Sequence, residues 1–416
     1  MSDKIKIFTI SDHPLSPSGV GTQTKYIIEG MLKTGKYQFV SFGGAIKHPN
    51  HKPQQTEQWG EDWIIWPVDG YGTHNHVRSM IHQQKPDILW FMTDPRFYGW
   101  LWDIENEIRE HVPMIYYHVW DNYPYPEFNR PFYLSNDHVA CISKLTYDIL
   151  QTVTPSVDSS YIPHAVDADV FKPVDKQEIL RFKMQRGLDG KFVCFWNNRN
   201  ARRKQSGTLI WWFKEFLDRV GHDKATLIMH TDVKDVHGQD LEAIIHSLGL
   251  TDGEVLFSRE KVQQQDLAMV YNMADVTINI SDAEGFGLAT LESLSCGTPI
   301  MVTLTGGLQD QVTDGENWFG VGLTPASKAI IGSQQVPYIY EDRISKEDFI
   351  NGLMKLYSMT EEEREELGAA GRDWTLKQFN FDDFIERWDT LFTEIHDKKG
   401  SWSTREGYQS YEVRVF

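Results

Sequence analysis

At 416 residues, with 40% hydrophobic and 24% charged side chains, the chain is long enough for about two globular domains with cores of their own, and its make-up excludes a fibrous or disordered protein. A formal net charge of -18 at pH 7 argues against a broad face for nucleic acid or anionic lipid, and no apolar stretch approaches the ~20 residues a membrane helix needs. Cys141, Cys194 and Cys296 sit in or beside apolar segments without metal-like spacing, the pattern of reduced core thiols in a cytoplasmic protein, and residues 1–10 alternate charge with apolar side chains too briefly for a signal peptide.

The first strand is expected at 5–10, then a loop at 11–21 with two prolines and two glycines, then a helix at 22–34 closed by Gly35. Strand, glycine-containing loop and helix in that order open a doubly wound domain, whose ligands gather at the carboxyl ends of the strands. Further strands are expected at 38–42, 87–92, 114–117 and 138–142, an α/β pattern. Residues 48–66, polar with scattered tryptophans, fit neither period and read as a long functional or covering loop. The segment Tyr116-Tyr117-His118-Val119-Trp120-Asp121 leaves the strand at 114–117 and puts His118 at the ligand edge of the sheet. The stretch that follows, with Trp120, Asp121, Tyr123, Tyr125 and Phe128, is either a platform for a ring-shaped ligand or plain packing.

The α/β pattern restarts with strands at 192–196, 225–229 and 255–257 and helices at 206–220, 241–248 and 267–273. Directly after the first of these strands comes Asn197-Asn198-Arg199-Asn200-Ala201-Arg202-Arg203-Lys204. A guanidinium binds phosphate oxygens in pairs and a lysine adds a point charge, so this run suits an anionic ligand. A buried strand at 276–280 then leads into Glu284-Gly285-Phe286-Gly287, a helix from Leu288 closed by Gly297, and another strand at 300–302. A carboxylate and unencumbered amides thus share a helix N-terminus, a place suited to an anion. Glu292 follows inside that helix, and two carboxylates beside an anion site suit hydroxyl-rich groups on either side of it, such as a sugar and a ribose.

Glu284 to Glu292, followed by Cys296-Gly297-Thr298-Pro299 and Gly306-Gly307, resembles the E-x7-E signature of the GT-B glycosyltransferases of family 4, a retaining, metal-independent group. The resemblance covers residues 1–320 and 380–396 and is strongest from 199 to 307. It implies an α/β protein of two doubly wound, Rossmann-like domains facing across a cleft: an N-terminal acceptor-side domain, 1–165 with a returning segment 381–416, and a nucleotide-sugar domain, 166–380. The boundary falls in Ile162-Pro163-His164-Ala165-Val166-Asp167, where His164 and Ala165 stand in place of the family's usual Asn and Gly; Asp167 and Asp169 read as part of this hinge, not as a metal-binding D-x-D pair.

The resemblance also implies roles. Arg199 and Lys204 would grip the donor pyrophosphate, Glu284 would lie at the donor sugar, Glu292 would hold the ribose, and the amides of Gly285, Phe286, Gly287 and Leu288 would meet the phosphates. Gly19 and Gly21 would close over those phosphates, His118 would sit by the donor sugar and Arg259 near the base; Trp120, Asp121 and Tyr123 are candidate acceptor contacts. The expected reaction is metal-independent front-face transfer from a nucleoside-diphosphate sugar, UDP favoured, without a further cofactor and without stable membrane insertion. The acceptor is a glycan, a small molecule or a modified base in DNA.

Two rival readings stand beside this one. A phage-type enzyme glycosylating a modified DNA base would use the aromatic segment and Arg202-Arg203 for a flipped base, against the acidic balance. A catalytically inactive nucleotide-sugar-binding or scaffold protein would not need Glu284, Glu292, Arg199, Lys204 and His118 all intact. After Gly315 the resemblance thins: 325–345 looks inserted and is a candidate for shaping an acceptor site or an oligomer contact. The tail 400–416, with Trp402, Tyr408, Tyr411 and Phe416, is too aromatic to hang free and is expected to dock.

Overall fold

The computed structural model describes residues 4–411. They fall into two compact units: the first holds the chain up to Trp120, Pro124–Ala165 and Asp382 onwards, the second Asp121–Tyr123 and Val166–Phe381. Among the described residues no helix is long and apolar enough to cross a membrane.

The first unit is built on eight strands: β1 (Ile5–Asp12), β2 (Tyr37–Gly44), β3 (Gln54–Gln55), β4 (Trp63–Pro67), β5 (Ile88–Met92), β6 (Met114–His118), β7 (His138–Cys141) and β8 (Ser159–Tyr161). Their order is β3-β4-β2-β1-β5-β6-β7-β8, parallel throughout except for β3 on β4. Without the two edge strands this is the doubly wound order, and its crossover reverses between β1 and β5. Every residue of β5 and β6 is buried, as parallel strands covered on both faces require.

Two expectations are corrected in this unit. Residues 48–66 are not a plain loop: Trp63–Pro67 pairs in register with Phe39–Gly43 of β2 as a parallel strand, its tryptophans facing alternate sides. The first helix begins at Gly19, so Gly19 and Gly21 lie in its first turn, not in the loop. The cause is Ser18, whose side chain accepts the Gly21 N–H at 3.0 Å and donates to Asp12 Oδ2 at 2.6 Å, a capped start that leaves only 13–18 as loop. Gly21 is needed there, because a Cβ would come within 2.6 Å of Ser16 Oγ and 2.7 Å of the His13 carbonyl.

The helix Phe381–Lys399 packs on this sheet from Asp382 onward. Trp388 stands edge-on to Trp90 and Tyr117, with ring centroids 5.9 and 4.9 Å away, and the Tyr37 hydroxyl donates to Asp389 Oδ1 at 2.6 Å. The tail docks through its aromatics. Trp402 stacks on His111 at 5.2 Å and donates its indole N–H to the Pro86 carbonyl, while Tyr408 and Tyr411 donate to Asn106 and Glu105. Phe416 lies outside the described residues.

The second unit carries six parallel strands: β9 (Phe192–Asn197), β10 (Ala225–His230), β11 (Val255–Ser258), β12 (Val276–Asn279), β13 (Ile300–Thr303) and β14 (Gly320–Leu323), in the order β11-β10-β9-β12-β13-β14. Trp196, Phe213, Leu227, Ile278, Met301 and Leu353 are among the residues of its buried core. The stretch that looked inserted forms an antiparallel hairpin, β15 (Ser327–Ile331) and β16 (Ile339–Arg343). Asp121 and Tyr123, expected on the N-terminal domain, belong to this second unit. There the Tyr340 N–H donates to the Tyr123 carbonyl at 2.5 Å and Asn122 Nδ2 donates to the Tyr340 carbonyl at 3.1 Å.

Candidate functional site

In the second unit the strand order reverses between β9 and β12, so the loops leaving the carboxyl ends of these neighbours flank a single crevice. One loop is the basic run after Asn197, which closes as a 3-10 turn, Arg202–Lys204, before Gln205 takes a left-handed conformation and the helix Ser206–Val220 begins. The other is 280–287, which ends at Gly287 (φ 92°) in front of the helix Leu288–Ser295. Gly287 has no room for a side chain, since a Cβ would meet Leu308 Cδ2 at 2.5 Å. At Gly306 (φ 50°) a Cβ would lie 1.7 Å from the Glu284 carbonyl oxygen. The turn after β13 therefore presses directly on the Glu284 loop, and the Gly307 N–H donates to the Glu284 carbonyl at 3.1 Å. Gln311 Nε2 takes the Phe286 and Gly287 carbonyls at 2.7 and 3.1 Å. With its carbonyls engaged behind it, this loop is rigid before any ligand arrives.

Lys204 and Glu284, from the two loops, meet as a buried ion pair: Lys204 Nζ donates to Glu284 Oε2, and the residues are 7% and 9% exposed. Asn279 Nδ2 donates to the same carboxylate oxygen at 3.2 Å, and Arg203 donates to the Ala283 carbonyl. Burial pushes the Lys204 ammonium down to about 8 and the neighbouring Arg203 adds to that, against the attraction of Glu284 and Asp121. Burial works to raise the Glu284 carboxyl, but the charges of Lys204 and Arg203 and the hydrogen bonds from Lys204 and Asn279 outweigh it and hold it below the ordinary range. At neutral pH both partners are therefore charged. Two cations and a carboxylate thus gather on the loop just before the partly exposed Gly285 and the helix that starts at Leu288, an arrangement able to take an anion and hydroxyl groups together.

The other expected residues are distributed more widely. Glu292 stands in the same helix and accepts from the Tyr271 hydroxyl at 2.7 Å, while Tyr271 in turn accepts from Asn197 Nδ2 at 2.8 Å. Arg199 leaves the Lys204 pair and forks onto Asp235 at 2.6 and 3.1 Å, 61% exposed. Arg259 pairs with Glu242 at 2.7 Å and is 56% exposed. Phe286 is buried edge-on against Phe379. In the first unit, Gly19 and Gly21 open the first helix, and Trp120 is buried edge-on to Phe128 at 5.6 Å. His118 ends β6 fully buried, its Nε2 2.8 Å from the Tyr133 hydroxyl, and burial drives its pKa down to about 3, so it is a neutral imidazole. Asp167 accepts the Asp169 and Val170 amides at 3.0 and 3.4 Å, the work of a turn-forming side chain.

Three residues around the site had no role in the sequence reading: Asn279 beside the pair, Tyr271 beside Glu292, and Asp282 in the Glu284 loop. Arg203 had one only in the DNA-base rival, and nothing local marks Asn279 or Tyr271. Asp282, 3% exposed, accepts from Gln205 Nε2 and from Arg343, both at 2.7 Å, and burial pushes its carboxyl up to about 6.

Glu292 gives a pH-dependent signature. Burial raises its carboxyl to about 7, with Tyr271 pulling the other way. The folded protein therefore holds this proton where the unfolded chain has lost it, and stability falls as pH rises from about 4.5 to about 7. Glu292→Gln removes this dependence: the melting temperature of the variant relative to the wild type should climb across pH 5 to 8. A constant difference over that range would show that Glu292 titrates as an ordinary carboxylate.

Residues 192–331 match the family model described as Glycosyl transferases group 1. The chain is 28% identical over 200 residues to the D-inositol 3-phosphate glycosyltransferase of Arthrobacter sp. (strain FB24), covering 45% of this chain and 42% of that protein. To the mannosylfructose-phosphate synthase of Agrobacterium fabrum (strain C58 / ATCC 33970) it is 30% identical over 160 residues, 38% of this chain and 35% of that one. The match thus spans less than half the length of either relative. Among solved structures, the sucrose-phosphate synthase from Thermosynechococcus elongatus superposes with a TM-score of 0.74 at 16% identity over 95% of this chain and 100% of that one. Anabaena Alr3699/HepE, solved in complex with UDP and glucose, gives 0.69 at 15% identity over 94% and 100%. With both sheets doubly wound, the chain has the GT-B fold of these structures, and residues 192–331, which run from β9 through the Glu284 loop, are similar to the Glycosyl transferases group 1 family.

Proposed function

We propose that this protein moves a sugar from a nucleoside-diphosphate sugar, UDP favoured, to an acceptor hydroxyl with retention at the anomeric carbon and without a metal ion. The observation that carries this reading is the buried Lys204–Glu284 pair, set beside the Gly285–Leu288 amides at the reversal of the strand order. In the proposed reaction the bond from the anomeric carbon to the β-phosphate oxygen breaks and its electrons leave with the diphosphate. The acceptor oxygen bonds to the same face of that carbon, and its proton passes to the departing phosphate oxygen. Lys204, Arg203 and the helix amides stabilise the charge that grows on the diphosphate; Arg199 joins them on exchanging Asp235 for a phosphate. Glu284 holds donor hydroxyls and steadies positive charge on the sugar, Glu292 takes the ribose hydroxyls, and Arg259 lies toward the base. Neutral His118 is assigned to the donor sugar, with Trp120, Asp121 and Tyr123 on the acceptor.

The UDP preference is supported by the UDP and glucose bound in the Anabaena structure. Free, buried Cys141, Cys194 and Cys296 support a reducing, cytoplasmic setting. Thermal stabilisation by UDP, GDP, ADP and TDP, each with and without EDTA, tests the donor half directly. One nucleotide, UDP, should raise the melting temperature regardless of EDTA, in line with the gain that ligand binding to the folded state confers. No shift with any of the four would defeat the reading; a shift abolished by EDTA would defeat its metal independence.

A further inference from the structure

The hairpin of β15 and β16 lies where the family match runs out, at residue 331, and it does not hang free of the site. Glu341 on β16 is 2% exposed and receives both Arg202 amino groups at 2.8 and 2.6 Å, and Arg343 at 3.1 Å. Arg343 spans from Glu341 to Asp282, which it meets at 2.7 Å, and Arg202 lies 4.0 Å from the same carboxylate. Two guanidiniums and two carboxylates thus alternate in a ring, neutral overall, in which the two buried carboxylates are compensated by guanidiniums that reach the surface. The main chain repeats the connection: the Asp342 N–H donates to the Asp282 carbonyl at 2.9 Å, and the Asp282 N–H to the Arg203 carbonyl at 2.8 Å. Lys204 is the next residue along from Arg203, and Glu284 lies two beyond Asp282. On its other flank β16 bonds Tyr123 and Asn122 through the main-chain N–H and carbonyl of Tyr340, with Lys328 of β15 5.3 Å over the Tyr123 ring. Asp121, at the start of that short segment, adds its attraction to the Lys204 ammonium.

We propose that β16 is the positioning strand of the donor site, with Glu341 and Arg343 as the positioning residues that hold the segments 121–123, 202–204 and 282–284 in mutual register. The proposal rests on the donor site lying at Lys204 and Glu284. Neither residue touches the reacting atoms; they act through Arg202 and Asp282. A shift of about 1 Å in a group that orients a reactant costs on the order of a hundredfold in rate, so loosening either link is expressed first in turnover.

The test uses the full chain. UDP binding to the wild type is measured first, by thermal shift, and turnover with the sugar nucleotide that it accepts; failure at that stage defeats the proposed function itself. Given an active wild type, Glu341→Gln should lower kcat by about ten- to a hundredfold with a smaller change in donor KM. Arg343→Lys, which keeps the charge, should recover much of the loss seen in Arg343→Met. The charge exchange Arg202→Glu with Glu341→Arg should run faster than either single variant. Arg343 is 32% exposed at the rim of the ring, so Arg343→Met decides the matter if Glu341→Gln fails to fold. Turnover within twofold of the wild type in the folded variants, or equal losses in Arg343→Lys and Arg343→Met, would overturn the proposal.

Discussion

Lys204→Met is expected to lower kcat/KM by about a hundred- to a thousandfold, the range seen when one preorganised donor is removed from developing charge in a dry site. In the proposed reaction the ammonium is one of the charges that answer the departing diphosphate, and its methionine isostere keeps the stem and the packing. Removing it also strands Glu284, 9% exposed, whose pairing otherwise offsets its burial, so the variant should melt below the wild type as well. Glu284→Gln should be impaired by a similar factor, and the double variant should be far less than multiplicatively worse, because the two residues act as one unit. The wild-type pH profile carries the same signature. Burial brings the Lys204 ammonium down to about 8, so the cation is present below that value and lost above it, and turnover should decline as pH rises past 8. A Lys204→Met enzyme within tenfold of the wild type would remove this residue from the chemistry.

What the sequence disclosed follows from how far each signal reaches. Strand β9 is a continuous apolar run ended by Asn197 and β12 a β-branched run, Val276-Thr277-Ile278, and their positions are legible to within a residue, 192–196 against Phe192–Asn197 and 276–280 against Val276–Asn279. β4 escaped because Trp63-Ile64-Ile65-Trp66-Pro67 is short and embedded in polar sequence; only its place beside β2 makes it a strand. The start of the first helix was misplaced by three residues because Gly19 and Gly21 weigh against a helix locally, while the Ser18 cap and its Asp12 anchor settle the matter. Lys204 and Glu284 stand 80 positions apart and meet only through the strand order that makes β9 and β12 neighbours. Ion-pair choices at the surface were not legible at all. That Arg199 takes Asp235 and Arg259 takes Glu242 depends on loop geometry that no spacing encodes. The hairpin was visible as an excess of chain but not as a structure, since its strands are five residues each and one face is held by charges, not by an apolar stripe.

The second large effect concerns stability and lies at the tail. Arg405, with a side chain 3% exposed, donates to Asp137 Oδ1 at 2.5 Å and to the Arg109 carbonyl at 2.8 Å. Asp137, equally buried, also takes Arg109 at 3.0 Å and the Met114 amide at 3.0 Å, and Arg109 bonds Glu105 at 3.1 Å. The tail therefore closes a buried charge network at the amino-terminal ends of β6 and β7, capped by Tyr408, whose ring lies 4.4 Å from the Arg109 guanidinium. Removing one partner of a buried pair costs about 3 to 5 kcal/mol, and the lower figure applies here because Arg109 and an amide still serve Asp137. Arg405→Met should accordingly lower the melting temperature by roughly 6 to 12 °C, at about 2 to 4 °C per kcal/mol for a unit of this size. Tyr411→Phe, which deletes one rim hydrogen bond to Glu105, should cost far less. Turnover of Arg405→Met at 25 °C should stay within about twofold of the wild type, since Arg405 is absent from the donor machinery. A melting temperature within about 2 °C of the wild type would mean that the docked tail contributes little to the stability of the first unit.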